Sequence, residues 1–172
     1  MYDKSKNTPY TITVPKSVKV LGTMAFMGIK GKINIDLSNI TKIGKEAFAE
    51  SDLTGTIKIS KNLKFTGSDA FRKTKITAVI IEDGVTELGV SDSDGMFMDC
   101  PNLKSITLPS SLAVLRGYVF CNCPALAEVI IPEGTKINYG ESWVISGVFT
   151  GCSSLPLATR AKIKATGYNG NF

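Results

Sequence analysis

Short runs with apolar residues two apart recur along the chain: Ile12-Thr-Val14, Ile33-Asn-Ile35, Ile57-Lys-Ile59, Val79-Ile-Ile81, Ile106-Thr-Leu108 and Val129-Ile-Ile131, four of them with a polar residue between. Residues two apart in an extended strand face the same way, so each run predicts a short strand with one buried side. After each run the chain reaches a phenylalanine in a similar setting: Phe26, Phe48, Phe71, Phe97, Phe120 and Phe149, spaced 22, 23, 26, 23 and 29 residues apart. A unit of this length cannot bury its own apolar face, but stacked units bury one another's. The pattern predicts an α/β solenoid, a right-handed stack of six β-containing coils with a parallel sheet on one face. Six βα units in a doubly wound sheet are excluded by length, because the connection from Phe to the next strand is often only seven to nine residues and a crossover helix needs more.

The same register predicts continuous inner columns. One holds the six phenylalanines; two more hold the apolar strand residues, Ile12 to Val129 and Val14 to Ile131. A glycine midway through most coils (Gly22, Gly44, Gly67, Gly89) is expected to permit a tight bend. The expected organisation is a polar segment over residues 1–9, six coils over residues 10–155, and a capping helix with a tail over residues 156–172. In the last part Ser154 is the expected N-cap, Pro156 lies in the first turn and Gly167 is the stop. Leu157, Ala161 and Ala165 form its expected apolar face. The N-terminal end shows no equivalent cap, so weak association through an open strand edge is expected if the chain is not simply a monomer.

Composition narrows the function more than it defines it. The chain of 172 residues has a formal net charge of +5 and no histidine. Histidine is the commonest general base and metal ligand, so triad hydrolases and typical zinc enzymes are disfavoured. The basic residues are scattered, without the charged and aromatic stripe of a nucleic-acid binder. No run approaches the roughly 18 apolar residues of a membrane span. The polar start MYDKSKNTPY has no apolar signal region, and the array begins almost at once, so a mature form or an excised piece is expected.

The pattern strand-Ile-x-Ile-Pro, then Val, then Ile-Gly-x-x-Ala-Phe, then Cys-x-x-Leu resembles the BspA-like leucine-rich repeat family. The resemblance is closest at Thr11-Ile-Thr-Val-Pro15 with Val18, at Ile43-Gly-Lys-Glu-Ala-Phe48, and from Ser105 to Leu126. It covers about residues 10 to 155, and the closing Leu155-Pro-Leu-Ala-Thr-Arg-Ala-Lys-Ile-Lys is similar to the C-terminal helix of such proteins. It implies a leucine-rich-repeat solenoid from a bacterial secreted or surface-displayed protein. It also implies no cofactor and a noncatalytic role in adhesion, with a protein or glycan ligand that includes host extracellular matrix. A structural spacer within a larger surface protein is the alternative. The sequence departs from the family pattern at Thr66, where Ile is expected, at Arg116, where Gly is expected, and in extra residues at Val90–Asp94 and within Glu141–Ser146.

Three groups of residues are candidates for chemistry or contact. The outward strand positions form the repeated exposed surface, with Thr13, Lys32, Asn34, Thr56, Lys58, Ile80, Thr107, Glu128 and Ile130 as the candidate binding face. Asp92, Asp94 and Trp143 lie in the two insertions and are candidate loop contacts. A calcium loop ending at Gly95 fails on its own numbering: Val90 stands at position one and Pro101 at position twelve, and neither side chain can ligate. Cys100, Cys123 and Cys152 each lie three residues after a Phe, a slot filled in other coils by Ile29, Ser51 and Thr74. That equivalence predicts small buried side chains and free thiols. The Cys121-x-Cys123 spacing is too short for a zinc knuckle.

Overall fold

The structure, a computed structural model, describes residues 10–89, 91, 94–139 and 147–172. Its strands are β1 (Thr11–Thr13), β2 (Val20–Leu21), β3 (Lys32–Asn34), β4 (Lys42–Ile43), β5 (Thr54–Ile59), β6 (Phe65–Thr66), β7 (Lys75–Ile81), β8 (Glu87–Leu88), β9 (Ser105–Thr107), β10 (Val114–Leu115) and β11 (Glu128–Ile130), followed by the helix α1 (Leu157–Ala165). Every pairing is parallel and joins neighbouring coils, as a β-solenoid requires.

The long strands form the front of the stack. Ile57, Val79, Ile106 and Val129 stand opposite one another across β5-β7-β9-β11, and all four are buried. Ile12 stands opposite Ile33 in the same way. The expected column register is therefore present, but the sheet is not continuous. β1 and β3 form a separate pair, and β3 does not pair with β5. A second ladder, of two-residue strands, runs along another side of each coil in the orders β2-β4-β6 and β8-β10.

The Phe column is the spine of the core. Successive rings from Phe26 to Phe149 lie 5.2, 5.2, 5.1, 5.6 and 5.8 Å apart, all stacked. Five of the six are fully buried, and Phe26, in the first coil, is half-buried. Beside the rings the backbone forms a third ladder with one polarity. The Phe amide of each coil donates to the next coil: Phe26 to Ala47 O, Phe48 to Ala70 O, Phe71 to Met96 O, Phe97 to Val119 O and Phe120 to Val148 O, at 2.7–3.1 Å. The amide two residues later does the same, from Gly28, Glu50, Lys73, Asp99 and Asn122. That second position has positive φ in all six coils, 67°, 59°, 56°, 58°, 54° and 78° from Gly28 to Gly151. Only two of the six are glycines, so four coils accept a left-handed residue that costs about 1–2 kcal/mol; the strain coincides with a coil-to-coil hydrogen bond.

Gly44 and Gly67 do not work as predicted. Neither has positive φ. A Cβ on Gly44 would lie 2.4 Å from Thr23 N, and one on Gly67 would lie 2.2 Å from Lys45 N. Their role is close approach of one coil's backbone to the next.

The C-terminal segment closes the last coil with a different face from the expected one. Leu157 is 83% exposed and Ala161 and Ala165 are exposed, whereas Ile163 is fully buried. The helix begins after Pro156, with no side-chain cap from Ser154. Its rotation is fixed at the far end: Ile137 N–H donates to Thr166 O at 3.0 Å, and the Tyr139 and Thr166 hydroxyls are 2.5 Å apart. Gly167, with φ of 114°, is the expected stop. The tail then continues the core. The Phe149 amide donates to the Tyr168 hydroxyl at 3.3 Å, and Phe172 stacks on Phe149 at 6.4 Å, in the place of a seventh ring.

Candidate functional site

The front sheet presents two outward rows. Strand register aligns Thr56, Ala78, Ser105 and Glu128 in one, and Lys58, Ile80, Thr107 and Ile130 in the other. Parallel strands lie about 4.8 Å apart, so Ile80 and Ile130 flank Thr107 within a span of roughly 10 Å. Ile80 is 39% exposed and Ile130 49%, while Thr107 between them is half-buried. Two β-branched side chains are thus held on a flat, hydrogen-bonded surface with polar neighbours. At one end of the row Lys58 Nζ pairs with Glu82 at 2.8 Å. Thr13, Lys32 and Asn34 are exposed on the separate β1–β3 pair, where Thr13 stands opposite Asn34. The predicted face is therefore brought together as two groups, not one.

The loop candidates fare differently. Asp94, expected as a loop contact, is instead buried, 1% exposed. Its Oδ1 accepts the Asp69 amide at 3.1 Å, and Asp69 Oδ1 accepts the Gly95 amide at 3.2 Å. The carboxylate of Asp94 replaces a carbonyl rung in the third ladder, a structural role that the spacing to the next Phe conceals. Asp92 and Trp143 lie outside the described residues. Sequence reasoning also missed the outward side of the second ladder, where Val20, Lys42 and Phe65 align. Lys42 Nζ sits 5.2 Å from the Phe65 ring centroid, and Val20 and Phe65 are both about half exposed. A single outward residue per two-residue strand carries no periodic signal.

The four cysteines are buried and free. The column slot explains three of them: the thiols of Cys100, Cys123 and Cys152 donate to the carbonyls of Phe71, Phe97 and Phe120 in the preceding coil, at 3.3, 3.3 and 3.2 Å. Thr74 in the equivalent slot donates to the Phe71 carbonyl of its own coil at 2.8 Å. Burial raises the pKa of all four thiols, and that of Cys152 from 9.0 to about 12. Burial likewise raises Tyr139 and Tyr168 from 10.0 to about 12. Acids whose folded pKa is raised stabilise the fold fully below the unfolded pKa and lose that contribution as pH climbs to the folded value. The thermal midpoint should therefore hold level through neutral pH and fall steadily as pH rises from about 9 towards about 12. An unchanged midpoint across that range would contradict the burial of these groups. Among the described residues no group of three or more His, Cys, Asp or Glu could hold a metal ion, and no helix is long and apolar enough to cross a membrane.

No curated protein matches the chain. Among solved structures it is similar to a leucine rich repeat protein of T. pallidum, with 23% identity and a TM-score of 0.57 over 95% of this chain and 86% of the other. It also matches a leucine-rich repeat protein from Bacteroides ovatus, at 21% identity and a TM-score of 0.44 over 84% of this chain and 47% of that one. A leucine rich cell surface protein from Faecalibacterium prausnitzii matches at 18% identity and a TM-score of 0.38, over 94% and 63%. The first of these agrees on the fold. The BspA type leucine rich repeat region matches six times, over residues 4–92 and 93–162. With six matching copies, a Phe column and parallel coil pairing in one register, the chain belongs to the BspA type leucine rich repeat family.

Proposed function

We propose that the chain is a noncatalytic binding module that presents its front sheet to a protein or glycan, in the setting of a bacterial secreted or surface-displayed protein. The observation that carries this reading is the Lys58, Ile80, Thr107, Ile130 row. Exposed β-branched residues on a rigid sheet are a preorganised contact surface, because little side-chain or backbone freedom is lost on binding. The rest of the face, with Thr56 and Glu128 beside the row and Thr13, Lys32 and Asn34 on the first pair of strands, supplies hydrogen-bonding and charged groups around that apolar centre, as interface rims do. Host extracellular-matrix proteins are the ligands to test first, on the family resemblance.

The test is a binding screen of the purified chain against immobilised matrix proteins and glycans, followed by the variant Ile80→Lys with Ile130→Lys. Both residues are exposed, so the variant should keep the parent's melting behaviour. Binding should fall at least about tenfold, as for loss of a central hot spot. A ligand that binds the variant as tightly as the parent would remove the sheet face from the account. Absence of any ligand would favour the spacer role.

A further inference from the structure

Neighbouring coils are zipped along the second ladder at every step but one. Lys42 N–H and Gly44 N–H reach the first coil at Lys19 O and Leu21 O; Lys64 N–H and Gly67 N–H reach the second at Thr41 O and Ile43 O. Val114 N–H and Arg116 N–H reach the fourth at Thr86 O and Leu88 O, and Asn138 N–H reaches the fifth at Ala113 O. Between β6 and β8, in the third and fourth coils, there is no pairing among the described residues. The two coils are nonetheless held together on either side. Ile59 pairs with Ile81 on the front sheet, and Phe71 stacks on Phe97 at 5.1 Å. The result is a slot with fixed walls and a volume of about 320 Å³, whose lining sets the apolar Ile59, Phe65, Leu88 and Met96 beside the polar Lys64 and Glu87.

By the register of the other rungs, the carbonyls of Lys64 and Thr66 on one wall and the amides of Glu87 and Gly89 on the other face this slot. None of the four has a backbone partner among the described residues. The departures from the repeat pattern converge at the same place. Thr66 stands in a column otherwise held by Leu21, Ile43, Leu88 and Leu115 and lines the slot. Asp94, from the extra residues of the fourth coil, lines it too. Arg116 pairs with Glu87 at 3.1 Å, and its carbonyl lies against Gly89, 2.5 Å from where a Cβ would stand. These contacts tie the fourth coil's second strand to the fifth coil, on the side away from the slot.

We propose that this slot is a peptide-binding site, in which an extended segment of a partner protein inserts as an added strand between β6 and β8 with one apolar side chain over Leu88 and Met96. Both walls offer strand edges, so the occupant must carry donors and acceptors at backbone spacing. An extended peptide does so, as in other cases of strand addition, and the apolar floor selects a hydrophobic residue over a sugar. The site is separate from the front sheet, so its failure leaves the sheet-face reading intact.

The probe is the blocked pentapeptide acetyl-Thr-Lys-Ile-Gly-Lys-amide, a copy of residues 41–45, which natively pair with β6. Titrated into the full chain and followed by amide chemical shifts, it should perturb residues 63–67 and 85–89 and leave the front sheet unchanged. In the free chain the Glu87 and Gly89 amides should exchange at least tenfold faster than those of Lys42 and Val114, and slow when the probe is bound. A probe N-methylated at its isoleucine should lose at least tenfold in affinity, and Thr66→Trp, which fills the slot, should abolish binding. Three results would each overturn the proposal: no localised shifts at millimolar probe, equal binding of the N-methylated probe, or Glu87 and Gly89 amides already as protected as that of Lys42.

Discussion

Adding one methyl group at Gly67 should strongly destabilise the stack. Its Cβ would lie 2.2 Å from Lys45 N and 2.6 Å from Lys45 Cα. Both contacts are backbone atoms of the preceding coil, so no side chain can rotate away. Relief requires the third coil to move off the second, which would loosen the Gly67 to Ile43 hydrogen bond of 2.8 Å and the Phe48–Phe71 stack together. Gly67→Ala is expected to cost about 3 kcal/mol or more, at or beyond the upper end for overpacking. The equivalent residue of the first coil gives an internal control. Gly22 has nothing within 4 Å of its Cβ position and no positive φ. There alanine should be neutral or stabilise by about 0.4–1 kcal/mol through the unfolded chain. The urea midpoint should therefore fall in Gly67→Ala and hold or rise in Gly22→Ala. Equal shifts would show that the recurrence of these glycines along the coils reflects a bend and not close contact.

The fold was legible where the repeat imposed a period. Alternation marked the six long strands, and the recurring Phe fixed their register, because every coil must place its plug in the same column. The second ladder was not legible, since its strands are two residues long and, β6 apart, bury a single residue each, as at Leu21 and Ile43. The left-handed position two residues after each Phe was masked by side chains at Glu50, Lys73, Asp99 and Asn122. The capping helix was recognisable, but its buried face was not. Spacing by four favoured Leu157, Ala161 and Ala165, whereas tertiary bonds at Thr166 turned Ile163 inward. Of the candidate site, the outward rows followed directly from strand alternation. The break between β3 and β5 did not, because no residue type signals it. The buried position of Asp94 was also hidden, since a carboxylate standing in for a carbonyl is defined by its partner Asp69 in the preceding coil, which residue spacing alone does not identify. The slot between β6 and β8 left a partial trace in Thr66 and Arg116.

The register of the stack, on which every proposal above rests, is tested most directly by truncating a central ring. Phe71 is fully buried and stacks on Phe48 at 5.2 Å and on Phe97 at 5.1 Å. Its carbonyl accepts from the Thr74 hydroxyl at 2.8 Å and from the Cys100 thiol at 3.3 Å, so the chain around it is held and cannot collapse to fill the space. Phe71→Ala should therefore cost about 3–5 kcal/mol, the sum of lost burial and an unfilled cavity. The comparison is with Phe26→Ala, where the ring is half-buried and has one stacked neighbour, and the cost should be markedly smaller. Equilibrium denaturation of the two variants beside the parent supplies the measurement. A loss of about 3–5 kcal/mol at Phe71 with a smaller loss at Phe26 is the predicted result; a Phe71→Ala protein that unfolds with the parent would contradict the six-coil register.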